Sequence, residues 1–333
     1  MTDAKYDVLG IGNAIFDVLV RTDEGFLARH GMTKGGMMLI DEARAAAIYR
    51  DMGPATEMSG GSAANTIVGI ASFGARAAYV GKVKDDQIGK LYTHDIRAAG
   101  VAFDTRPASD GPATGCSYIL VTDDGERTMN TYLGAAQKLM PSDIDAAEIA
   151  AAKIVYLEGY LWDPASAKQA FVKAATIAHS AGREVALTLS DSFCVDRYRD
   201  EFLDLMRKGT VDLVFANEAE LHSLYQTSDF DTALKELRKD AKLGVVTRSE
   251  KGCVVASKDG VVAVPAFAID RLVDTTGAGD LFAAGFLFGL VRNAGHENAG
   301  RLGALAAAEV IQHIGARPLA SLKELAQNKG LPV

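Results

Sequence analysis

The sequence predicts an α/β protein whose mostly parallel sheet is covered by helices on both faces. From residue 153 onward, short apolar runs alternate with helix-length segments, which is the pattern of repeated β–α units. Strands joined through helices run parallel, and a parallel sheet buries both of its faces. A hairpin pattern at residues 116–133 interrupts this alternation and predicts an excursion from the main sheet.

Length and composition argue against several classes of protein. The chain has 333 residues, 48% of them hydrophobic, enough for one large domain or a domain with an attachment. A net charge of −8 disfavours a nucleic-acid or anionic-membrane surface. Three scattered cysteines and six scattered histidines predict a reduced protein without a zinc site. Without a signal-peptide pattern or an apolar run of bilayer length, we expect a cytoplasmic protein.

The first strand is predicted at residues 6–11 and ends in the turn Gly10-Ile11-Gly12-Asn13. This turn matches only part of a dinucleotide-binding fingerprint, because Ile15 stands where the third glycine belongs. An oxidoreductase that uses NAD is therefore a disfavoured alternative.

A second strand is predicted at residues 15–20, with Phe16 and Val18 on one face and Asp17 on the other. The Asp17 carboxylate is either a satisfied core group or cap, or a group that binds the diol of a ligand. The residues alone leave both open. Residues 21–58 follow no pattern that assigns them.

A glycine-rich helix entry contains Gly60 and Gly61 and leads into a helix at residues 67–73. Two adjacent glycines permit a positive φ angle and the close approach of a ligand to the backbone. Asn65 falls about one helical turn further on. The alternative is a plain loop with Ser62 as the N-cap of the helix.

The remaining elements follow from apolar runs bounded by turn residues. Further strands are predicted at residues 77–80, 100–103, 116–121, 127–133, 154–157, 185–189, 213–216, 244–247, 252–256 and 261–264. Further helices are predicted at residues 87–99, 165–181, 202–208, 281–291 and 299–314. Asp-Gly pairs at 124–125 and 259–260 mark two hairpin turns.

Asn217 and Glu220 open a helix directly after a predicted strand, where an open α/β sheet keeps its ligands. Three residues apart, they face the same side of the first turn and could hold a hydrated Mg²⁺. An N-cap Asn with a capping-box Glu fits this spacing at least as well.

The run Asp-Thr-Thr-Gly-Ala-Gly-Asp at residues 274–280 stands just before an apolar helix. Small residues at a helix start expose unpaired amides that favour an anion, most often phosphate. Asp280 lies within the same first turn, where it would suit a base that accepts a proton from an attacking hydroxyl. A capped, tightly packed core helix is the alternative.

These three motifs, in this order and spacing, resemble the ribokinase-like sugar and nucleoside kinase family over nearly the whole chain. Within that family the adenosine kinases are most similar, through the segments at residues 10–17, 133–136, 156–160 and 187–193. The resemblance implies a three-layer α/β/α core with a mostly parallel central sheet and a small β-sheet lid. We expect the core in residues 1–17, 59–106 and 135–333, and the lid in residues 107–134 and part of 18–58.

The resemblance also implies a role for each motif residue. Asp280 would be the general base, and the backbone of Gly277, Ala278 and Gly279 the anion hole. Substrate would contact Asn13, Asp17, Gly60, Gly61, Asn65, Leu133, Ala135 and Tyr160. ATP would contact Asn217, Thr247, Arg248, Ser249 and Gly252. Glu220 would hold Mg²⁺ through water, and Asp274 and Thr276 would serve a monovalent cation such as K⁺.

The implied reaction is phosphorylation of a primary hydroxyl by Mg·ATP, with the 5′-hydroxyl of adenosine as the expected acceptor. The transition state is loose, so an ordinary carboxylate pKa would suffice for the base. Ribose, a ketohexose, inosine and guanosine are alternative acceptors, and a nucleoside-binding protein without turnover is an alternative of another class. We expect ATP and a small molecule as partners, without nucleic acid or membrane, and leave monomer and homodimer open.

Overall fold

Two β-sheets organise the chain in the computed structural model, which describes residues 4–333. The nine strands of the large sheet are β1 (Tyr6–Ile11), β5 (Ala77–Val80), β6 (Val101–Ala102), β9 (Ala152–Glu158), β10 (Glu184–Thr188), β11 (Leu213–Asn217), β12 (Leu243–Thr247), β13 (Cys253–Ser257) and β14 (Gly260–Val264). The five strands of the small sheet are β2 (Ile15–Arg21), β3 (Met37–Leu39), β4 (Thr56–Gly60), β7 (Gly115–Val121) and β8 (Arg127–Tyr132).

The large sheet has the strand order β14-β13-β12-β11-β10-β9-β1-β5-β6. All neighbours from β12 to β6 pair in parallel, whereas β13 and β14 form the predicted hairpin at one edge. Every residue of β1 is buried, as expected for a central parallel strand with both faces covered. The carboxyl ends of the parallel strands therefore meet along one edge of the sheet.

Helices cover both faces of the large sheet, so the predicted three-layer α/β/α core is confirmed. The α-helices of residues 4–333 are α1 (Glu24–Arg29), α2 (Glu42–Asp51), α3 (Ser62–Ser72), α4 (Gln87–Ala98), α5 (Ala146–Ala150), α6 (Ala165–Ser180), α7 (Ser192–Arg207), α8 (Glu218–Tyr225), α9 (Phe230–Asp240), α10 (Ala278–Val291), α11 (His296–Val310) and α12 (Leu322–Asn328). Helices α3, α10 and α11 pack on one face of the sheet, and α6 to α9 pack on the other. None of the helices within residues 4–333 is long and apolar enough to cross a bilayer.

The small sheet has the strand order β3-β8-β7-β2-β4 and includes the predicted hairpin of β7 and β8. One face packs under α1 and α2, as Phe26 and Ile48 belong to the same apolar cluster as Val18. On the other face, Leu19 and Ile119 pack with Ile314 from the loop after α11. The small sheet therefore rests on the large one at the edge where the parallel strands end.

The structure corrects several predicted boundaries. The helix predicted at 67–73 begins at Ser62, and its N-cap is Gly61, at a φ of 100°, and not Ser62. The helix predicted at 299–314 already ends at Val310. The small sheet includes residues 15–17 and 59–60, which the predicted division gave to the core, because β2 and β4 pair along these positions.

Several elements had no counterpart in the sequence prediction. The unassigned residues 21–58 hold α1, β3, α2 and the first part of β4, and helices α5, α9 and α12 were not predicted.

Candidate active site

The candidate site lies where the parallel strands of the large sheet end, facing the small sheet. Asn217 and Thr247 end the neighbouring strands β11 and β12 and stand side by side in the register of that pair. Helices α3 and α10 start at the same edge, and hydrogen bonds between side chains join their first turns. The topology therefore brings together motifs that are more than 200 residues apart in the sequence.

The start of α10 has the open backbone that the sequence predicted. Gly277 is its N-cap at a φ of 79°, and a Cβ there would lie 2.7 Å from the Cβ of Ala316. A Cβ on Gly279 would meet no atom within 4 Å, so there is open space beside this turn. The amide of Ala278 donates to the Thr275 carbonyl, whereas helix geometry leaves the Gly279 amide without an intrahelical acceptor.

Asp280 is held by two side chains from the first turn of α3. Ser62 donates from Oγ to Asp280 Oδ1 at 2.7 Å, and Asn65 donates from Nδ2 to Oδ2 at 3.0 Å. Burial raises the pKa of Asp280 to about 6, and the two hydrogen bonds and the charge of Arg317 partly offset that rise. The pKa of the predicted base is thus higher than the ordinary value that would have sufficed.

Asp17 lies against the glycine-rich entry to α3. A Cβ on Gly60 would overlap the Asp17 carboxylate, and a Cβ on Gly61 would overlap the carbonyl oxygen of Asn13. Only glycine allows these approaches. Burial raises the pKa of Asp17 to about 7, against the opposing effect of the Arg317 and Arg127 charges.

A buried carboxylate that sequence reasoning did not assign, Glu158, joins the two glycine-containing turns. Its Oε1 accepts from Asn13 Nδ2 at 2.8 Å and from the Asn13 amide at 3.2 Å. Its Oε2 accepts from the Ala63 amide at 2.8 Å, and Gln137 Nε2 donates to Asn13 Oδ1 at 3.1 Å. The amide group of Asn13 is thereby fixed in orientation before any ligand arrives.

Asn217 and Glu220 form a capping box. Asn217 Oδ1 accepts from the Glu220 amide at 2.8 Å, and Glu220 accepts from the Asn217 amide at 3.0 Å and from its Nδ2 at 2.6 Å. The local geometry is therefore the one that the capping alternative predicted. Burial raises the pKa of Glu220 to about 7.

The residues present fit a hydrated Mg²⁺ at Glu220. Within residues 4–333 no group of three or more acidic, His or Cys side chains is arranged to hold a metal by itself. Mg²⁺ commonly keeps several waters and binds through one or two carboxylates together with substrate phosphates. The buried Glu220 carboxylate at the strand edge, whose oxygens retain lone pairs, suits that mode of binding.

The predicted nucleotide loop follows β12. Gly252 has a φ of 85°, and a Cβ there would overlap the Val264 carbonyl oxygen, so the tight turn requires glycine. The Arg248 side chain contacts the starts of α8 and α9. Its Nη2 lies 2.8 Å from Glu218 Oε1, and its guanidinium lies 3.6 Å from the centre of the Phe230 ring. Ser249 also adopts a positive φ angle.

Asp274 does not fit the predicted monovalent-cation site in this structure, because an arginine already balances its charge. Arg127 Nη2, from the small sheet, lies 2.5 Å from Asp274 Oδ2, and both side chains are buried. The amides of Thr276 and Gly315 donate to the two carboxylate oxygens at 3.0 and 3.1 Å. These contacts leave little room for a bound cation at this carboxylate.

Leu133, Ala135 and Tyr160, three of the residues predicted to contact the substrate, differ in exposure. Ala135 is completely buried, Leu133 is partly buried, and Tyr160 is 37% exposed in the turn after β9. Ala135 can therefore shape the site by packing, whereas Tyr160 has a surface that a ligand can reach.

Sequence reasoning gave no role to Glu158, Arg127 or Arg317. Glu158 carried a readable signal, since an acidic residue ends an apolar parallel strand at the ligand edge. No sequence signal indicated Arg127 or Arg317, because the residues that they contact lie 147 and 258 positions away along the chain.

Comparisons with known proteins identify the family and the fold of this chain. The model of the pfkB family of carbohydrate kinases matches residues 52–322. A crystal structure of an adenosine kinase from Sinorhizobium meliloti is 57% identical, with a TM-score of 0.91 over 98% of this chain and 100% of that one. A crystal structure described as a probable sugar kinase from Rhizobium etli CFN 42 is 54% identical, with a TM-score of 0.93 over 99% of this chain and 100% of that one.

A third relative is an ATP-dependent ribose-1-phosphate kinase from Halopiger xanaduensis, 30% identical over 84% of this chain and 83% of its own length. The family model spans well over half of the sequence, and the fold is that of the similar solved structures. The chain therefore belongs to the pfkB family of carbohydrate kinases, and it is a phosphotransferase that acts on a hydroxyl group of a sugar or a nucleoside.

Proposed function

We propose that the protein phosphorylates the 5′-hydroxyl of adenosine with ATP and that Asp280 is the general base. The observation that carries the proposal is the position of Asp280 in the first turn of α10. It stands beside the open backbone of Gly279 and is held by Ser62 and Asn65 from the start of α3. One carboxylate is thus shared by a turn suited to phosphate and a turn suited to a polyhydroxyl ligand.

The proposed mechanism is mainly one of positioning. The amides at the start of α10 stabilise negative charge on the transferred phosphoryl group. Asp280 accepts the proton of the attacking hydroxyl as its oxygen bonds to phosphorus. When bound near Glu220, Mg²⁺ supplies charge neutralisation for the phosphates of ATP. Asn217, Thr247 and the loop to Gly252 hold the nucleotide.

Adenosine is proposed as the acceptor because of two further observations. The adenosine kinase of Sinorhizobium meliloti is 57% identical to this chain over 98% of this chain and 100% of that one. Asp17 lies against Gly60, and Asn65 donates one amide hydrogen to Asp280, which leaves polar groups for the hydroxyls of a ribose. Asn13, fixed by Glu158 and Gln137, is proposed to contact the nucleoside.

A sugar acceptor is the second candidate, favoured by the similarity to a probable sugar kinase at 54% identity and to a ribose-1-phosphate kinase at 30%. The test is a panel of acceptors with Mg·ATP, with ADP formation as the signal and the product identified by mass spectrometry. The panel holds adenosine, inosine, guanosine, ribose, fructose and ribose 1-phosphate.

We expect the highest kcat/KM with adenosine and a product of the mass of AMP. A higher kcat/KM with any sugar would replace adenosine as the acceptor. ADP formation that depends on no acceptor in the panel would overturn the proposal. Chelation of divalent cations should abolish turnover, and added Mg²⁺ should restore it.

A further inference from the structure

One short segment, Gly315 to Arg317, contacts both halves of the candidate site. The Gly315 amide donates to Asp274 Oδ2, and the Cβ of Ala316 packs where a side chain on Gly277 would stand. The next residue, Arg317, reaches the other half, where β4 leads into the glycine-rich turn. The loop after α11 thus joins the phosphate turn to the substrate turn.

Arg317 is anchored on Ser59, the residue before Gly60. Its Nη2 donates to the Ser59 carbonyl at 2.5 Å and lies 3.1 Å from the Ser59 hydroxyl. Ser59 is fully buried, and both its amide and its hydroxyl donate to Asp95 Oδ2, at 2.7 and 2.6 Å. The guanidinium therefore has a fixed place next to the peptide of Gly60.

The Asp17 carboxylate lies directly against Gly60, since a Cβ on Gly60 would overlap that group. Asp17 and Asp280 are two acidic groups that repel each other at the site. The charge of Arg317 opposes the rise in pKa of both. Its Nε has no hydrogen-bond partner among residues 4–333.

We propose that Arg317 is a positioning residue of the phosphoryl transfer: it supplies the positive charge that Asp17 and Asp280 share and holds the Ser59–Gly60 backbone against Asp17. The inference rests on the proposed role of Asp280 as the base. Without this cation, two carboxylates in one partly dry site would compete for a proton, and the base would be protonated over more of the working pH range.

Arg317 is the cation whose charge lowers the pKa of Asp280, against the effect of burial. The pKa of Asp280 is lowered by hydrogen bonds from Ser62 and Asn65 on α3 and by the charge of Arg317. The Asp280 charge in turn raises the pKa of four neighbouring groups, Asp17, Tyr156, Glu158 and Tyr160. The loss of Arg317 should therefore change the titration of Asp280 more than the loss of any more distant arginine.

The test is a ¹³C NMR titration of the aspartate carboxyl carbons in the whole protein, without ATP or acceptor. The Asp280 resonance is identified by its disappearance in Asp280→Asn. In Arg317→Met we expect its midpoint to rise by about one pH unit or more, and in Arg317→Lys to stay near the wild-type value. Arg317→Gln retains a donor for Ser59 but no charge, so it should behave as Arg317→Met does even if the latter folds poorly.

Arg292→Met is the matched control. Arg292 follows the far end of α10, about 18 Å from Asp280 along the helix axis, beyond the screening length at physiological salt. Its removal should leave the Asp280 midpoint unchanged. Equal midpoints in wild type and in Arg317→Gln, or an equal shift in Arg292→Met, would overturn the proposal.

The kinetic readout uses the acceptor that the wild-type enzyme turns over best. The acid limb of kcat/KM should move to higher pH in Arg317→Gln, with about a tenfold loss on that limb for each unit. Arg317→Lys should restore the profile. If adenosine is not the acceptor, the acceptor panel reveals this with the wild-type enzyme. Failure of the Arg317 inference is recognised from the NMR titration, which needs no acceptor.

Discussion

Replacing Asp280 by Asn tests the assignment of the base and its burial together. The substitution keeps the shape of the side chain but turns one oxygen into a donor. Asn65 Nδ2 donates to the present carboxylate at 3.0 Å, and its own Oδ1 has no partner in the described part of the chain. Rotation of the Asn65 amide by 180° would therefore offer an acceptor to the new NH₂ group. Ser62 can keep donating to the remaining oxygen, so we expect the variant to fold.

The expected stability change follows from the pKa of Asp280, which burial raises from 3.8 to about 6. The folded state binds the proton more tightly than the unfolded chain, so ionisation destabilises the fold as the pH rises above 4. The cost reaches about 3 kcal/mol at pH 8 and is about half as large at pH 5. Asn cannot ionise and carries no such cost. The free energy of unfolding of Asp280→Asn should therefore rise relative to that of the wild type from pH 5 to pH 8.

The catalytic activity of Asp280→Asn should fall, although its stability rises relative to the wild type. Loss of a general base lowers kcat by about 10²- to 10⁴-fold, while nucleoside binding, measured by calorimetry, should be largely retained. Urea unfolding at pH 5 and pH 8 gives the stability difference, and any constant effect of the new amide cancels between the two pH values. Asp200→Asn is the control: its side chain is 93% exposed, so neither activity nor the pH dependence of stability should change.

Two results would refute this reasoning. A near-normal kcat in Asp280→Asn would remove Asp280 as the base. A stability difference from wild type that is the same at pH 5 and pH 8 would show that the carboxylate pays no cost for ionisation in the folded protein.

Three further changes test other parts of the site. Asp17→Ala should raise the KM of the acceptor by the loss of about 1–3 kcal/mol of hydrogen bonding, with a smaller effect on kcat; an unchanged KM would contradict a role in binding. Asp274→Ala should lower the free energy of unfolding by about 3–5 kcal/mol because it leaves Arg127 buried without its partner. Adding Arg127→Met should recover part of that loss in the double variant, and strictly additive losses would argue against the pair. Gly277→Ala should lower the melting temperature and activity, because its φ of 79° and the nearby Ala316 disfavour a side chain; unchanged melting would contradict this.

The fold class was predictable because it depends on local patterns. Apolar runs of strand length ended near the observed boundaries, and Asp-Gly marked the hairpin of β7 and β8. Helix α9 was missed although the signals are present, since Asp229 caps it and Ala233, Leu234 and Leu237 form its buried face. The many charged residues between them hid that periodicity.

The individual motifs of the site were predictable, but their contacts were not. The short turn before α10 and the glycines before α3 are local features of the sequence. The hydrogen bond between Ser62 and Asp280 joins residues 218 positions apart, and nothing near either residue indicates the other. The pairing of Asp274 with Arg127 likewise depends on how the small sheet rests on the large one.

The chain crosses between the two sheets within the site itself. Residues 12–14 connect β1 to β2, Gly61 connects β4 to α3, and Gly134 follows β8. The small sheet can pivot about these crossings, and the turn after β7 lies about 23 Å from them, the length of that strand. A tilt of about 10° would carry that turn through about 4 Å while scarcely moving Asn13, and it would draw Arg127, which pairs with Val121 at the far end of β7, away from Asp274. Any such movement of the small sheet is therefore coupled to the ion pair between Arg127 and Asp274, next to the turn that starts α10.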